Sequence, residues 1–186
     1  MNPSKYNKII FSGPVGAGKT TAIKSISDVP VVHTEENASD DVKVLKQKTT
    51  VAMDYGAISL DENNQIHIYG TPGQKRFNFM WDILSKGCIG LVLLIDGQSM
   101  SAKDDLLYFL SKFENTINRT AVAIGVTKTD SPEAIKISEL RKVLNQEQKR
   151  FPMFSIDARK KSDVSMLIES LLYSLNPSLK RANNDY

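Results

Sequence analysis

The stretch "FSGPVGAGKTTAIKSI", Phe11 to Ile26, constrains the fold more than any other part of the chain. It joins a short apolar run, a glycine-rich loop and the start of a helix. Gly13-Pro14-Val15-Gly16-Ala17-Gly18-Lys19-Thr20 fits the pattern G-x-x-x-x-G-K-[ST] at every defined position. Glycines let the backbone wrap closely around a polyanion, so that successive N–H groups point inward. The helix opening at Lys19 adds the positive end of its dipole. Lys19 is placed to neutralise β and γ phosphates, and Thr20 to offer a hydroxyl to Mg²⁺. Thr21, next on the helix, joins the same ligand-binding set. The segment predicts a strand–loop–helix unit that holds a nucleoside triphosphate or similar ligand. It leaves the base open.

The rest of the chain alternates apolar runs with helical periodicity. "KIIFS" (8–12) reads as a strand buried on both faces, followed by a helix over 19–27. Residues 28–48 are polar and weakly periodic, which predicts a long functional loop with at most one helical turn. "TVAMDYGAISL" (50–60), the turn "DENN" and "QIHIYG" (65–70) predict an antiparallel hairpin. "CIGLVLLID" (88–96) and "TAVAIGVT" (120–127) are continuous apolar runs, the mark of central parallel strands. Helices are expected over 75–86, 101–117, 133–148 and 162–175, the third with Pro132 suiting its first turn. "FPMFSID" (151–157) predicts a last strand. The fold class expected is α/β: three layers, with a mostly parallel six-stranded sheet and one antiparallel hairpin strand. One domain is expected over 1–176, with a polar tail over 177–186.

Composition narrows the partners. A chain of 186 residues suits one domain with a full core. Its net charge of +3 is too small to argue for nucleic acid. The single cysteine, Cys88, lies in an apolar run, as expected of a buried thiol in a reducing cytoplasm. No apolar stretch approaches the ~20 residues that span a bilayer. Residue 2 is Asn and the C-terminus carries no prenylation cysteine, so no direct membrane anchor is expected.

The base reader should lie at a neighbouring strand end. Thr127-Lys128-Thr129-Asp130 follows the strand ending near Val126. An aspartate there can accept two hydrogen bonds, from the N1–H and 2-amino group of guanine; adenine offers no such pair. The stem of Lys128 can lie over the purine. In Asp157-Ala158-Arg159, the Ala158 N–H can face guanine O6. A nucleotide or small-molecule kinase fits less well, because no arginine-rich lid is inserted between strands.

With these residues in place, the chain resembles the Ras-like small GTPases over about 1–175. That resemblance implies a G domain that binds GTP and GDP with Mg²⁺. The base motif departs from the usual Asn-Lys-x-Asp in its first residue, Thr127, which keeps a hydroxyl with less reach. The family senses the γ-phosphate with two loops. Thr50 is the expected switch threonine and metal ligand, with Thr49 the alternative. The second loop usually reads Asp-x-x-Gly-Gln and here reads Gly70-Thr71-Pro72-Gly73-Gln74. The resemblance makes Gly73 an N–H donor to the γ-phosphate and Gln74 the catalytic residue that orients water.

The Pro-Gly-Gln loop without its aspartate is similar to the bacterial MglA-like branch. That likeness implies a roadblock/LC7-type activator and an effector that reads the switch loops. Position 70 lacks its carboxylate, and Asp54 is expected either to supply one to Mg²⁺ from the paired strand or to be an exposed strand residue. The resemblance sets Val15 beside the γ-phosphate, where a branched side chain can crowd Gln74 or an incoming arginine. Intrinsic hydrolysis is therefore expected on the order of 10⁻³ s⁻¹ or below. The alternative is a hydrolysis-deficient nucleotide-binding scaffold.

Overall fold

The computed structural model describes residues 7–33, 53–61 and 64–175. Thr49 and Thr50 lie outside them. Strands β1 (Asn7–Ser12), β2 (Val32–His33), β3 (Asp54–Ser59), β4 (Gln65–Gly70), β5 (Gly90–Asp96), β6 (Ala121–Thr127) and β7 (Met153–Ser155) form one sheet, ordered β2-β3-β4-β1-β5-β6-β7. Helices are α1 (Lys19–Ile26), α2 (Asn78–Ser85), α3 (Ala102–Lys112), α4 (Glu114–Ile117), α5 (Ile137–Gln146) and α6 (Lys161–Leu175).

The sheet is α/β and mostly parallel, as expected, with β3 running against its neighbours β2 and β4. It has seven strands rather than six. The added one, β2, falls in the segment read as loop. Two residues are too few to leave a period-2 signal, and their strand character comes from pairing with β3.

The buried runs divide strictly by alternation. In β5, Leu91, Leu93 and Ile95 pack with Trp81, Leu106, Phe109 and Leu140 on one face. Val92 and Leu94 pack with Ile23, Leu167 and Ile168 on the other. Burial on both faces makes such a strand read as continuously apolar. Helix α6 approaches closely because β5 starts at Gly90, where a Cβ would lie 2.3 Å from Leu171 Cδ2.

Three helices differ from expectation. The segment 133–148 becomes helical only at Ile137. Ser131 to Ala134 close a turn of their own (Ala134 N to Ser131 O, 3.0 Å), and the Ile135 N–H donates to Gly97 O at 2.8 Å. Pro132 therefore sits in that turn, outside the helix. The 101–117 helix is interrupted at Phe113, whose ring stacks on Trp81 at 5.4 Å. The 75–86 helix opens as a 3-10 turn, Lys75–Phe77, before α2. Among the described residues no helix is long and apolar enough to cross a membrane.

Candidate nucleotide-binding site

The loop between β1 and α1 passes through Gly13, Gly16 and Gly18 with φ of 142°, 81° and 86°. L-residues with side chains avoid these angles. Gly13 is doubly required, because a Cβ there would meet Leu94 O at 2.1 Å. The loop curls so that Lys19 Nζ donates to Gly13 O (2.8 Å) and Pro14 O (2.7 Å). An ammonium has three N–H groups, so one remains for an anion. Burial pushes the Lys19 pKa down to about 8, opposed by the charge of Asp54. The first-turn amides of α1 have no partner within the helix, which leaves them free for an anion.

Thr20 Oγ1 donates to Asp54 Oδ2 at 2.6 Å. Asp54 is buried and lies opposite Gly70 in the β3–β4 register. A Cβ on Gly70 would stand 3.1 Å from Asp54 Oδ2 and 2.8 Å from Ile23 Cδ1. A side chain at position 70 would thus compete for the space the Asp54 carboxylate fills. Of the two roles considered for Asp54, the exposed strand residue is incorrect. Its other oxygen, Oδ1, accepts from His33 Nδ1 on β2.

The hydroxyl–carboxylate pair is a hard-oxygen donor set. It suits Mg²⁺, which takes one or two protein oxygens and completes its shell with phosphate and water. Among the described residues no group of three or more His, Cys, Asp and Glu is placed to hold a metal by protein ligands alone.

The 71–74 loop lies directly on the phosphate cradle. Thr71 is buried, its N–H bonded to Phe11 O (2.9 Å) and its hydroxyl to that of Ser12 (2.8 Å). Pro72 O accepts from Trp81 Nε1 at 3.0 Å. Gly73 sits so close that a Cβ would be 2.7 Å from Val15 N and 2.8 Å from Lys19 Nζ. Gln74 is exposed at the head of the 3-10 turn. Val15, 67% exposed, stands at the rim. Lys75, the nearest cation after Gln74, is engaged with Asp105 (3.5 Å) and the Tyr108 ring.

Beyond the cradle, at the ends of β6 and β7, a cavity of about 780 Å³ opens. Gly18, Thr21, Thr127, Lys128, Asp130, Asp157, Ala158 and Arg159 all line it. Thr127 is buried, and its hydroxyl reaches Ala17 O (3.2 Å) and Ile95 O (3.3 Å). The shorter side chain therefore still ties the base loop to the phosphate loop. Lys128 adopts φ 54° and its Nζ bonds Asp96 Oδ2 at 2.5 Å, which stretches its stem along the cavity rim. Asp130 is exposed on the wall. Asp157 accepts from the Arg159 N–H (3.0 Å), Nε (2.8 Å) and NH2 (2.8 Å), and these bonds hold its carboxyl well below the usual range. The Arg159 guanidinium is committed to shaping this loop, and its bonds to Asp157 raise its pKa.

Sequence reading missed three participants. Asp96 was visible as the residue ending a buried strand, and β5–β6 register sets it beside Thr127. Gln98, also on the cavity wall, carried no signal beyond its place after that strand. His33 had no local signal, because its partner Asp54 is 21 residues away.

A mostly parallel sheet with a glycine-rich phosphate-loop motif at the end of one strand and an open cavity at the ends of its neighbours is a P-loop nucleotide-binding domain of Ras-like type. Residues 11–172 match the model of the family described as "conserved hypothetical ATP binding protein", and the chain belongs to that family. It is 28% identical over 152 residues to the mutual gliding-motility protein MglA of Myxococcus xanthus, covering 74% of this chain and 75% of that one. An uncharacterized protein of Methanocaldococcus jannaschii is 33% identical over 99 residues (53% of this chain, 56% of that one). The Ras-related protein Rab-5B of Plasmodium falciparum is 24% identical over 108 residues (58% of this chain, 51% of that one). The relationship is thus to the Ras-like small GTPases, on the MglA-like side.

Proposed function

We propose that this small GTPase is a guanine-nucleotide switch that binds GTP and GDP with Mg²⁺ and hydrolyses GTP slowly until a partner accelerates it. The observation that carries the reading is Asp130 on the wall of the cavity, beside the Lys128 stem that Asp96 holds in place. A carboxylate there matches the paired N–H donors of guanine and repels the acceptor edge of adenine. The family's description names ATP, so base preference is the deciding property.

In this reading the 13–20 loop and Lys19 bind the β and γ phosphates. Thr20 and Asp54 hold the cation site, joined by Thr50 from the segment outside the described residues. When bound, Mg²⁺ neutralises charge on the phosphate oxygens. Gly73 follows the γ-phosphate with its N–H, and Gln74, one residue on, orients the attacking water. With Lys75 engaged elsewhere and the Arg76 guanidinium over the Phe77 ring (4.8 Å), intrinsic turnover stays on the order of 10⁻³ s⁻¹ or below. An activator of roadblock/LC7 type would then act by ordering Gln74, and an effector would read the switch loops in the cytoplasm.

Calorimetry with GDP, GTP and ATP, with and without Mg²⁺, tests the reading. Guanine preference that Asp130→Ala abolishes supports it; ATP preference overturns it. Single-turnover hydrolysis at ~1 s⁻¹ without a partner would remove the need for an activator. The close seat of Gly73 on Lys19 and the exposed Val15 favour a second reading, a scaffold that binds nucleotide without cycling. In that case GTP stays intact with every partner.

A further inference from the structure

We propose that His33 is a positioning residue for the Mg²⁺ site, acting through Asp54, and that β2 serves as the arm that delivers it. This rests on the reading that Thr20 and Asp54 serve a Mg²⁺–nucleotide complex.

The Asp54 carboxylate is buried, and its two oxygens have different partners. Oδ2 takes the Thr20 hydroxyl and Oδ1 takes His33 Nδ1. A carboxylate only accepts, so the ring Nδ1 carries the hydrogen. The terminal torsion of an aspartate is broad and roughly two-fold, so one bond alone lets the group swing. A second donor on the opposite oxygen stops it. With Asp54 fixed, the Thr20 proton stays on Oδ2 and the lone pairs of that hydroxyl are left for a cation. This is the relation by which outer partners orient the groups that meet a metal.

The placement of His33 is a product of the sheet. In the β2–β3 register, His33 faces Asp54 and Val32 faces Tyr55. Directly opposed residues of an antiparallel pair share a face, with Cβ atoms ~5 Å apart. The approach to β2 is pinned along β3: Asp28 N donates to Ala57 O (2.8 Å), and Ala57 N donates to Ser27 Oγ (3.1 Å). Strand β2 buries little of its own, since Val32 is 56% exposed. What it contributes to the described structure is its ladder and His33. Whatever moves this edge strand would therefore loosen Asp54 and, through it, the cation.

The test follows release of a fluorescent GDP analogue from the full chain while Mg²⁺ is titrated. His33→Ala is expected to raise the Mg²⁺ concentration that half-maximally slows release by about tenfold, the usual size of losing an outer partner. Release in EDTA should stay within about twofold of the parent, since without metal the arm has nothing to position. His33→Asn keeps an N–H near the place of Nδ1 and should recover most of the shift. Combined with Asp54→Asn, His33→Ala should add nothing further, the mark of residues acting as one unit. An unchanged Mg²⁺ midpoint in His33→Ala, an equal acceleration in EDTA, no recovery by Asn, or additivity would each overturn the proposal. A parent protein whose release ignores Mg²⁺ would overturn the magnesium reading as well. A Mg²⁺-responsive parent with an unshifted variant overturns this inference alone.

Discussion

Replacing Thr127 by Val removes one hydroxyl and little else. The residue is 2% exposed, and valine keeps the methyl that faces Gly18, where a Cβ would lie 3.7 Å from Thr127 Cγ2. The hydroxyl has one proton to divide between Ala17 O at 3.2 Å and Ile95 O at 3.3 Å, and both distances are long. A neutral hydrogen bond contributes about 0.5–1.5 kcal/mol net, and this geometry argues for the lower half. Because Ala17 belongs to the phosphate loop, the loss should appear in nucleotide affinity as well as in stability. The expected fall in GDP affinity is about 2–5-fold. The expected fall in the melting temperature of the nucleotide-free protein is about 1–4 °C. Displacement titration and thermal melting read the two effects separately. If neither moves, the hydroxyl does not tether the loops. If affinity drops more than about 100-fold while the melt is unchanged, Thr127 touches the ligand directly and the tethering argument is wrong.

Other perturbations probe the remaining contacts. Gly73→Ala puts a Cβ within 2.8 Å of Val15 N and Lys19 Nζ, so the loop must back away; GTP affinity should fall while GDP affinity holds, measured by competitive titration. Trp81→Phe removes the donor to buried Pro72 O and should cost about 1–3 kcal/mol, read as a melting temperature lower by about 2–10 °C. Burial pushes the Cys88 thiol pKa up from its ordinary 9.0. The folded thiol thus holds its proton more tightly than the unfolded one, so this contribution to stability is full below pH 9 and is lost as pH rises through the folded value. Alkylation at pH 8 should be slow in the native protein and fast in urea; equal rates would place Cys88 at the surface.

The elements easiest to read were those whose environment repeats residue by residue. Strands β5 and β6 are apolar on both faces because both faces are covered, and that shows in any short window. The phosphate loop was legible for a related reason: its glycines answer backbone angles set within the loop itself. The elements misplaced were those fixed by partners far along the chain. The start of α5 depends on a carbonyl at Gly97, and β2 exists only as a partner of β3.

The amino-acid order alone determined the phosphate cradle, the alternation of strands and helices, and the candidate base reader, because spacing along the chain encodes them locally. Tertiary structure decided what Asp54, His33, Asp96 and Thr127 do. A strand register turns a missing side chain at Gly70 into room for a carboxylate, and a shared strand end turns Asp96 into the holder of Lys128. Those relations are distances across a sheet, and the sheet exists only once the chain has folded.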